Sequence, residues 1–305
     1  MKKRLAALLA VLMMLTVCLP ALGECTPLLY RATDGAGHEI YLMGTIHLAR
    51  ESTYPLPDYV LDAFERCDVL AVELDVQRIQ QDPYAMGQMM LAMYLQNGQT
   101  SPLSQETLEK AAQATGIPIG TLASMRPWAV MNLLQEKAYA GSSMDAALGV
   151  DQYLLTLAGE KGKQVDELEN LDGQMALLTG MPESVVVWQI EAMLSAPAGV
   201  ILSTMALLDN WARGDRAGLN RLLSKEEDPA ALAGCPDVAG YTAYMQAMYG
   251  DRDTAFARQA ADYLDAGTRV FFAVGAAHVL GDGGVADQLA EMGYTVETVG
   301  AQGAE

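Results

Sequence analysis

Two of the chain's three histidines share one local setting. Residues 41–50 read YLMGTIHLAR and residues 270–281 read VFFAVGAAHVLG; each has an apolar run, a glycine, two small or apolar residues and then a histidine. Imidazoles just beyond the carboxyl ends of buried strands stand where open α/β sheets place their ligand sites. Glu73 closes a third apolar run, VLAVE. A carboxylate there is costly to desolvate unless it is paired or bound to a cation. His47, Glu73 and His278 therefore form a ligand set suited to a divalent cation with positions left for water and substrate. Such a cation polarises a carbonyl and acidifies bound water, so hydrolysis is the reaction that follows. Without it, the same residues can serve as a general base and its orienting groups. Gly44 and Gly275 are expected to allow tight turns before the histidines. Asp75, on the same strand face as Glu73, is the reserve carboxylate.

Three further residues complete the candidate set. Arg252 opens a helix in GDRDTAFARQA. A cation there works against the helix dipole by about 0.3–1 kcal/mol, so another contact is expected to hold it. It suits an oxyanion or a substrate carboxylate, although a surface pair with Asp251 or Asp253 explains the placement almost as well. Glu169 and Gln174, in LENLDGQ, are placed as substrate-lining residues, with plain surface polarity as the competing reading. A single GxxH reads as a helix cap or core histidine; two of them, each after a strand, make a site worth pursuing. His38, in the turn DGAGHE, is read as a solvated loop residue.

The elements that must position these groups follow from periodicity. LLYRATDGAGHEIYLMG reads as a hairpin at the edge of a sheet. PDYVLDAFERC then DVLAVELD gives a helix and a strand, and with the preceding strand a βαβ unit. The middle is helical: DPYAMGQMMLAMYLQNG, with Met86, Met89, Met90 and Met93 read as core; SQETLEKAAQATG, from a Ser start to a Gly stop; MRPWAVMNLLQEKAY, with Trp128 as a core anchor; GVDQYLLTLAGEKG; and PESVVVWQIEAML. KQVDELEN is a strand among them. The last third alternates again: helix RDTAFARQAADYLDAG, strand RVFFAVG, helix GGVADQLAEMG, strand YTVETV. The fold class is α/β, a central mixed sheet flanked by helices, with a helical insert at about 80–230. No linker or low-complexity tract divides residues 24–305, which are expected to form a single domain.

Residues 1–23 have a basic start, an apolar stretch from Leu5 to Val17 and small residues at Ala21 and Gly23, the layout of a secretory signal cleaved after Gly23. The expected location is secreted or in the cell envelope, with an uncleaved anchor as the alternative. The stretch is short for a membrane span and no later segment reaches about 18 unbroken apolar residues. The formal charge of −19 repels nucleic acid and anionic lipid, so nucleic-acid binding is set aside. Cys25, Cys67 and Cys235 show no metal-binding spacing; one disulfide with a free thiol, or none, fits equally.

At these residues the chain resembles the TraB/PrgY/GumN family, which includes the TIKI proteins and is related to the erythromycin esterase and ChaN-like proteins. YLMGTIHLA is similar to its first GxxH motif and VFFAVGAAHVLGDGGVADQLAEMGYTVE to its second, with VLAVELD, MRPWAV, GVDQYLL, KQVDELENLDGQ and MYGDRDTAFA between them in the family's order. The resemblance implies a metal-dependent peptide-bond hydrolase using manganese or cobalt, with His47, Glu73, His278 and Arg252 in its site; zinc also suits the donor types. The family often has Asn where this chain has Asp253. Two alternatives stay open: a metal-free, esterase-like hydrolase with His47 as base, and a non-catalytic protein that sequesters peptides. The partner is a peptide or a small amide or ester substrate, and the oligomeric state is left open.

Overall fold

The computed structural model describes residues 25–140, 142–223 and 231–300. The expected signal sequence, residues 1–23, lies outside the described residues.

Six strands form one mixed sheet: β1 (Leu29–Thr33), β2 (Glu39–Thr45), β3 (Val69–Val72), β4 (Gln164–Glu167), β5 (Val270–Gly275) and β6 (Thr295–Val299), in the order β4-β3-β5-β2-β1-β6. The four strands β4, β3, β5 and β2 are parallel neighbours, while β1 runs antiparallel between β2 and β6. Every residue of β3 and β5 is buried, as the unbroken apolar runs require of strands covered on both faces. The α/β expectation holds, with one correction. The β1–β2 hairpin is not at the edge, because β6 pairs along the whole of β1 from Leu29↔Val299 to Thr33↔Thr295.

Helices Asp58–Arg66, Val150–Lys161, Asp251–Asp265, Ala276–Leu280 and Val285–Glu291 pack on the sheet. Phe64, Phe256, Phe271, Phe272 and Trp211 are fully buried in this core. A second apolar cluster around Leu108, Ala111, Leu122, Val130 and Ile190 lies within the insert. Helix Gln105–Thr115 begins and ends as its sequence dictates: the Ser104 side chain accepts from the Thr107 N–H, and Gly116 closes it at φ 74°. The insert is not continuous, since helix Val150–Lys161 and β4 return to the sheet.

The methionine reading needs correcting too. Met86 and Met90 of helix Pro83–Ala92 are exposed, Met90 by 57%, and only Ala85 of that helix is buried. Helical spacing locates a stripe, but not whether anything covers it. Trp128 is only half-buried against the second cluster. Among the described residues no single helix is long and apolar enough to cross a membrane, and Cys25, Cys67 and Cys235 are all free thiols.

Candidate functional site

The parallel strands end side by side, and each delivers one candidate at its carboxyl end. Across the sheet the order is Glu169 beyond β4, Glu73 beyond β3, His278 beyond β5 and His47 beyond β2. The register Thr45↔Gly275 sets the two GxxH motifs one residue out of step on adjacent strands. Neither motif glycine has a positive φ, so the expected tight turn is not their reason. A Cβ on Gly44 would lie 2.7 Å from the Ala276 Cα, and one on Gly275 would lie 3.2 Å from Glu73 Oε1. Close approach demands both glycines.

Arg252 stands at the centre. Its Nε and Nη2 donate to the two oxygens of Glu169 at 2.8 Å each, Nη2 also to Glu73 Oε2 at 2.5 Å, and Nη1 to His278 Nε2 at 2.8 Å. Phe256 lies beneath, its ring 5.2 Å from the guanidinium carbon and edge-on to His278 at 5.2 Å. Arg252 does not open a free helix. Helix Val238–Met245 runs through a π-turn, Gln246–Gly250, directly into Asp251–Asp265, so there is no exposed positive dipole end for it to oppose. Its partners are Glu73 and Glu169 rather than the neighbouring aspartates.

Glu73 is buried with 14% of its side chain exposed. Burial alone would raise its pKa, but the Arg252 guanidinium and the Gly275 N–H, which donates at 2.7 Å, hold it below the usual carboxylate value. Gln174 Nε2 bridges Glu73 Oε2 at 3.1 Å and Glu169 Oε2 at 3.0 Å. Glu169 and Gln174 thus support Arg252 and Glu73 rather than standing apart on the surface. The reserve carboxylate, Asp75, is elsewhere engaged: it caps helix Val76–Gln81, accepting from the Arg78 N–H.

His47 and His278 each have an aspartate; Asp151 was not singled out from the sequence, and Asp253 was named there only as a possible partner of Arg252 and as a departure from the family's usual Asn. His47 Nδ1 lies 2.8 Å from Asp151 Oδ2, and Asp151 Oδ1 accepts from the Thr45 hydroxyl at 2.5 Å. The Val150 N–H donates to Ile46 O at 2.8 Å, which docks the first turn of helix Val150–Lys161 against the motif. The hydrogen bond and charge of Asp151 push His47 up to about 9. Burial works to raise Asp151, yet His47 and Thr45 outweigh it and the carboxyl is lowered. His278 Nδ1 lies 2.5 Å from Asp253 Oδ1, with the ring 4% exposed. Burial raises Asp253 despite that bond. An amide oxygen can accept the same bond, so Asn at this position preserves the contact. His38 stays in the hairpin turn, paired with Asp34.

The donor set fits a divalent cation in chemistry. Both imidazoles are held at Nδ1 by a carboxylate, leaving Nε2 as the donor, the usual arrangement of ligating histidines. Placement differs: among the described residues no three such groups surround one point, and the Arg252 guanidinium occupies His278 Nε2 and Glu73 Oε2. A cation held by His47, Glu73 and His278 requires those two bonds to open.

A mixed α/β sheet whose adjacent parallel strands end in paired GxxH histidines, a glutamate and a clamped arginine defines the class. The chain belongs to the TraB/PrgY/gumN family, whose model matches residues 28–298. It is 24% identical over 250 residues to a protein of Treponema pallidum (strain Nichols) described as uncharacterized, covering 79% of this chain and 74% of that one. It is 28% identical over 143 residues to YbaP of Escherichia coli (strain K12), also described as uncharacterized, covering 47% of this chain and 53% of that one. No solved structure matches.

Proposed function

We propose that this chain is an extracytoplasmic hydrolase of peptide bonds, or of related amide and ester bonds, that takes a divalent cation, manganese or cobalt ahead of zinc. One observation carries the reading. His47, Glu73 and His278 stand at the carboxyl ends of neighbouring parallel strands, with Arg252 on Glu73 and His278, and each of these histidines is bonded at Nδ1 to an aspartate. His47, Glu73 and His278 would hold the cation, which supplies Lewis-acid polarisation of the carbonyl and a more acidic water. Glu169 grips one edge of Arg252, so the guanidinium stays in plane to stabilise negative charge developing on the carbonyl oxygen. Asp151 and Asp253 each meet one of the two imidazoles at Nδ1, on the side away from the proposed cation.

The test is metal content by elemental mass spectrometry on protein purified without chelators or a His tag, beside the His47→Ala/His278→Ala double variant. Both are then titrated with Mn²⁺, Co²⁺ and Zn²⁺ and screened against a fluorogenic peptide library. Uptake and cleavage by the wild type alone support the reading; equal uptake by both, or none, refutes the cation site.

The guanidinium on His278 and Glu73 favours one rival, a cation-free hydrolase in which Arg252 is the fixed positive charge and His47 Nε2 the base. Its activity survives exhaustive chelation and rises with pH toward about 9, as His47 loses its proton.

A further inference from the structure

What bonds Nδ1 of an imidazole decides what Nε2 can do. His278 is fixed from both sides. A guanidinium only donates, so His278 Nε2, 2.8 Å from Arg252 Nη1, is the acceptor and the ring proton sits on Nδ1, facing Asp253. His47 is different: 75% of its side chain is open, and its hydrogen bond to Asp151 is the only side-chain bond that orients it among the described residues. Asp151 is itself fixed in a particular sense. A carboxylate cannot donate, so the Thr45 hydroxyl must give its proton to Oδ1, leaving Oδ2 as the acceptor that meets His47.

We infer that Asp151 is the positioning residue of His47, holding the ring proton on Nδ1 and the reactive lone pair on Nε2, and that Asp253, its counterpart on the second motif, is redundant in that role because Arg252 already fixes His278. The assignment rests on the reading that both histidines act in one site, and it makes the two aspartates differ under the same substitution. In Asp151→Asn the Thr45 hydroxyl, 1% exposed and with no other acceptor for its proton among the described residues, keeps donating to the amide oxygen, so the NH₂ turns to His47. Nδ1 must then accept, and the proton moves to Nε2. In Asp253→Asn, His278 Nδ1 is the only side-chain hydrogen-bond partner of the group at that position among the described residues, so the amide is free to turn its oxygen to Nδ1, and Arg252 still requires a bare Nε2.

The experiment is long-range ¹H–¹⁵N correlation of the imidazoles, which separates protonated from bare ring nitrogens by chemical shift, in a chain with only three histidines to assign. The spectra are taken above the pH of about 9 at which His47 loses its second ring proton, on the full chain, Asp151→Asn, Asp253→Asn and Thr45→Val/Asp151→Asn, and Mn²⁺ is titrated calorimetrically into the same four chains at lower pH. The expected result is a protonated His47 Nδ1 in the wild type and a bare one in Asp151→Asn. Thr45→Val/Asp151→Asn restores the proton, since the amide can then turn. Mn²⁺ binding weakens about 10–100-fold in Asp151→Asn and only a few-fold in Asp253→Asn. A His47 Nδ1 still protonated in Asp151→Asn, one still bare in the double variant, or a flipped His278 in Asp253→Asn overturns the inference. A wild type that takes up no Mn²⁺ refutes the cation reading alone, and the ring-nitrogen shifts still decide the role of Asp151.

Discussion

Arg252→Met should tighten cation binding while weakening the fold. In the structure the guanidinium occupies one lone pair on each of two donors, Glu73 Oε2 and His278 Nε2. A hydrogen bond involving a charged group contributes about 1.5–3 kcal/mol. Taking the low end for both gives about 3 kcal/mol that an incoming cation must displace, or roughly two decades in affinity at about 1.4 kcal/mol per decade. Methionine keeps the apolar stem over Phe256 and removes the competitor. It also leaves Glu73 and Glu169, with 14% and 18% of their side chains exposed, facing each other without a counter-charge. Breaking a buried pair this way costs about 3–5 kcal/mol. Calorimetric titration with Mn²⁺ should show a dissociation constant about 100-fold lower than wild type, and melting curves should show a low midpoint without cation that recovers steeply on adding it. Turnover should be lost, since the charge-stabilising group is gone. Equal or weaker binding in the variant, or binding in neither chain, would refute the competition argument.

Three other outcomes follow from the structure. His47 sits at about 9 folded against 6.5 unfolded, so the folded state holds the extra proton between those values. The stability it contributes is complete below pH 6.5 and lost as pH rises through about 9. Cation-free melting midpoints should therefore fall across that window, and His47→Gln should flatten the fall; an identical slope would show that the Asp151 bond is not the cause. Gly44→Ala should cost on the order of 1–3 kcal/mol in a denaturant titration, because its Cβ would meet the Ala276 backbone at 2.7 Å. Gly87→Ala, mid-helix with open space around it, should instead stabilise by about 0.4–1 kcal/mol.

Local rules carried much of this fold. The helix from Ser104 to Gly116 and the strands ending at Thr45, Val72 and Gly275 are legible because capping, period and apolar runs are set by neighbours in sequence. His47, Glu73 and His278 were visible for the same reason, each standing at a strand end. Asp151 was not. In GVDQYLL it reads as an ordinary first-turn acid, and its role comes from Thr45 and His47, more than 100 residues away. Asp253 entered only beside Asp251, as an alternative surface partner for Arg252, since nothing local reveals that it is 7% exposed and faces His278. The β1–β2 hairpin was placed at an edge because the strand that covers it, β6, is the last one in the chain. Exposed Met86 and Met90 fail for a related reason: periodicity gives a face, and only tertiary packing says what meets it.

The strand order also sets a timetable. β5 is the fifth strand to be synthesised, yet it lies in the interior of the sheet, between β3 and β2. Until it slots in, β2 and β3 lack their shared neighbour, His47 and Glu73 have no His278 beside them, and helix Asp251–Asp265 with Arg252 has no finished sheet to rest on. Such long-range closure is slow and comes late in folding. A chain still emerging, or cut short before residue 270, carries half of the proposed chemistry on each side of an unfilled gap. Completion of the C-terminal segment is thus the step that would assemble the proposed site.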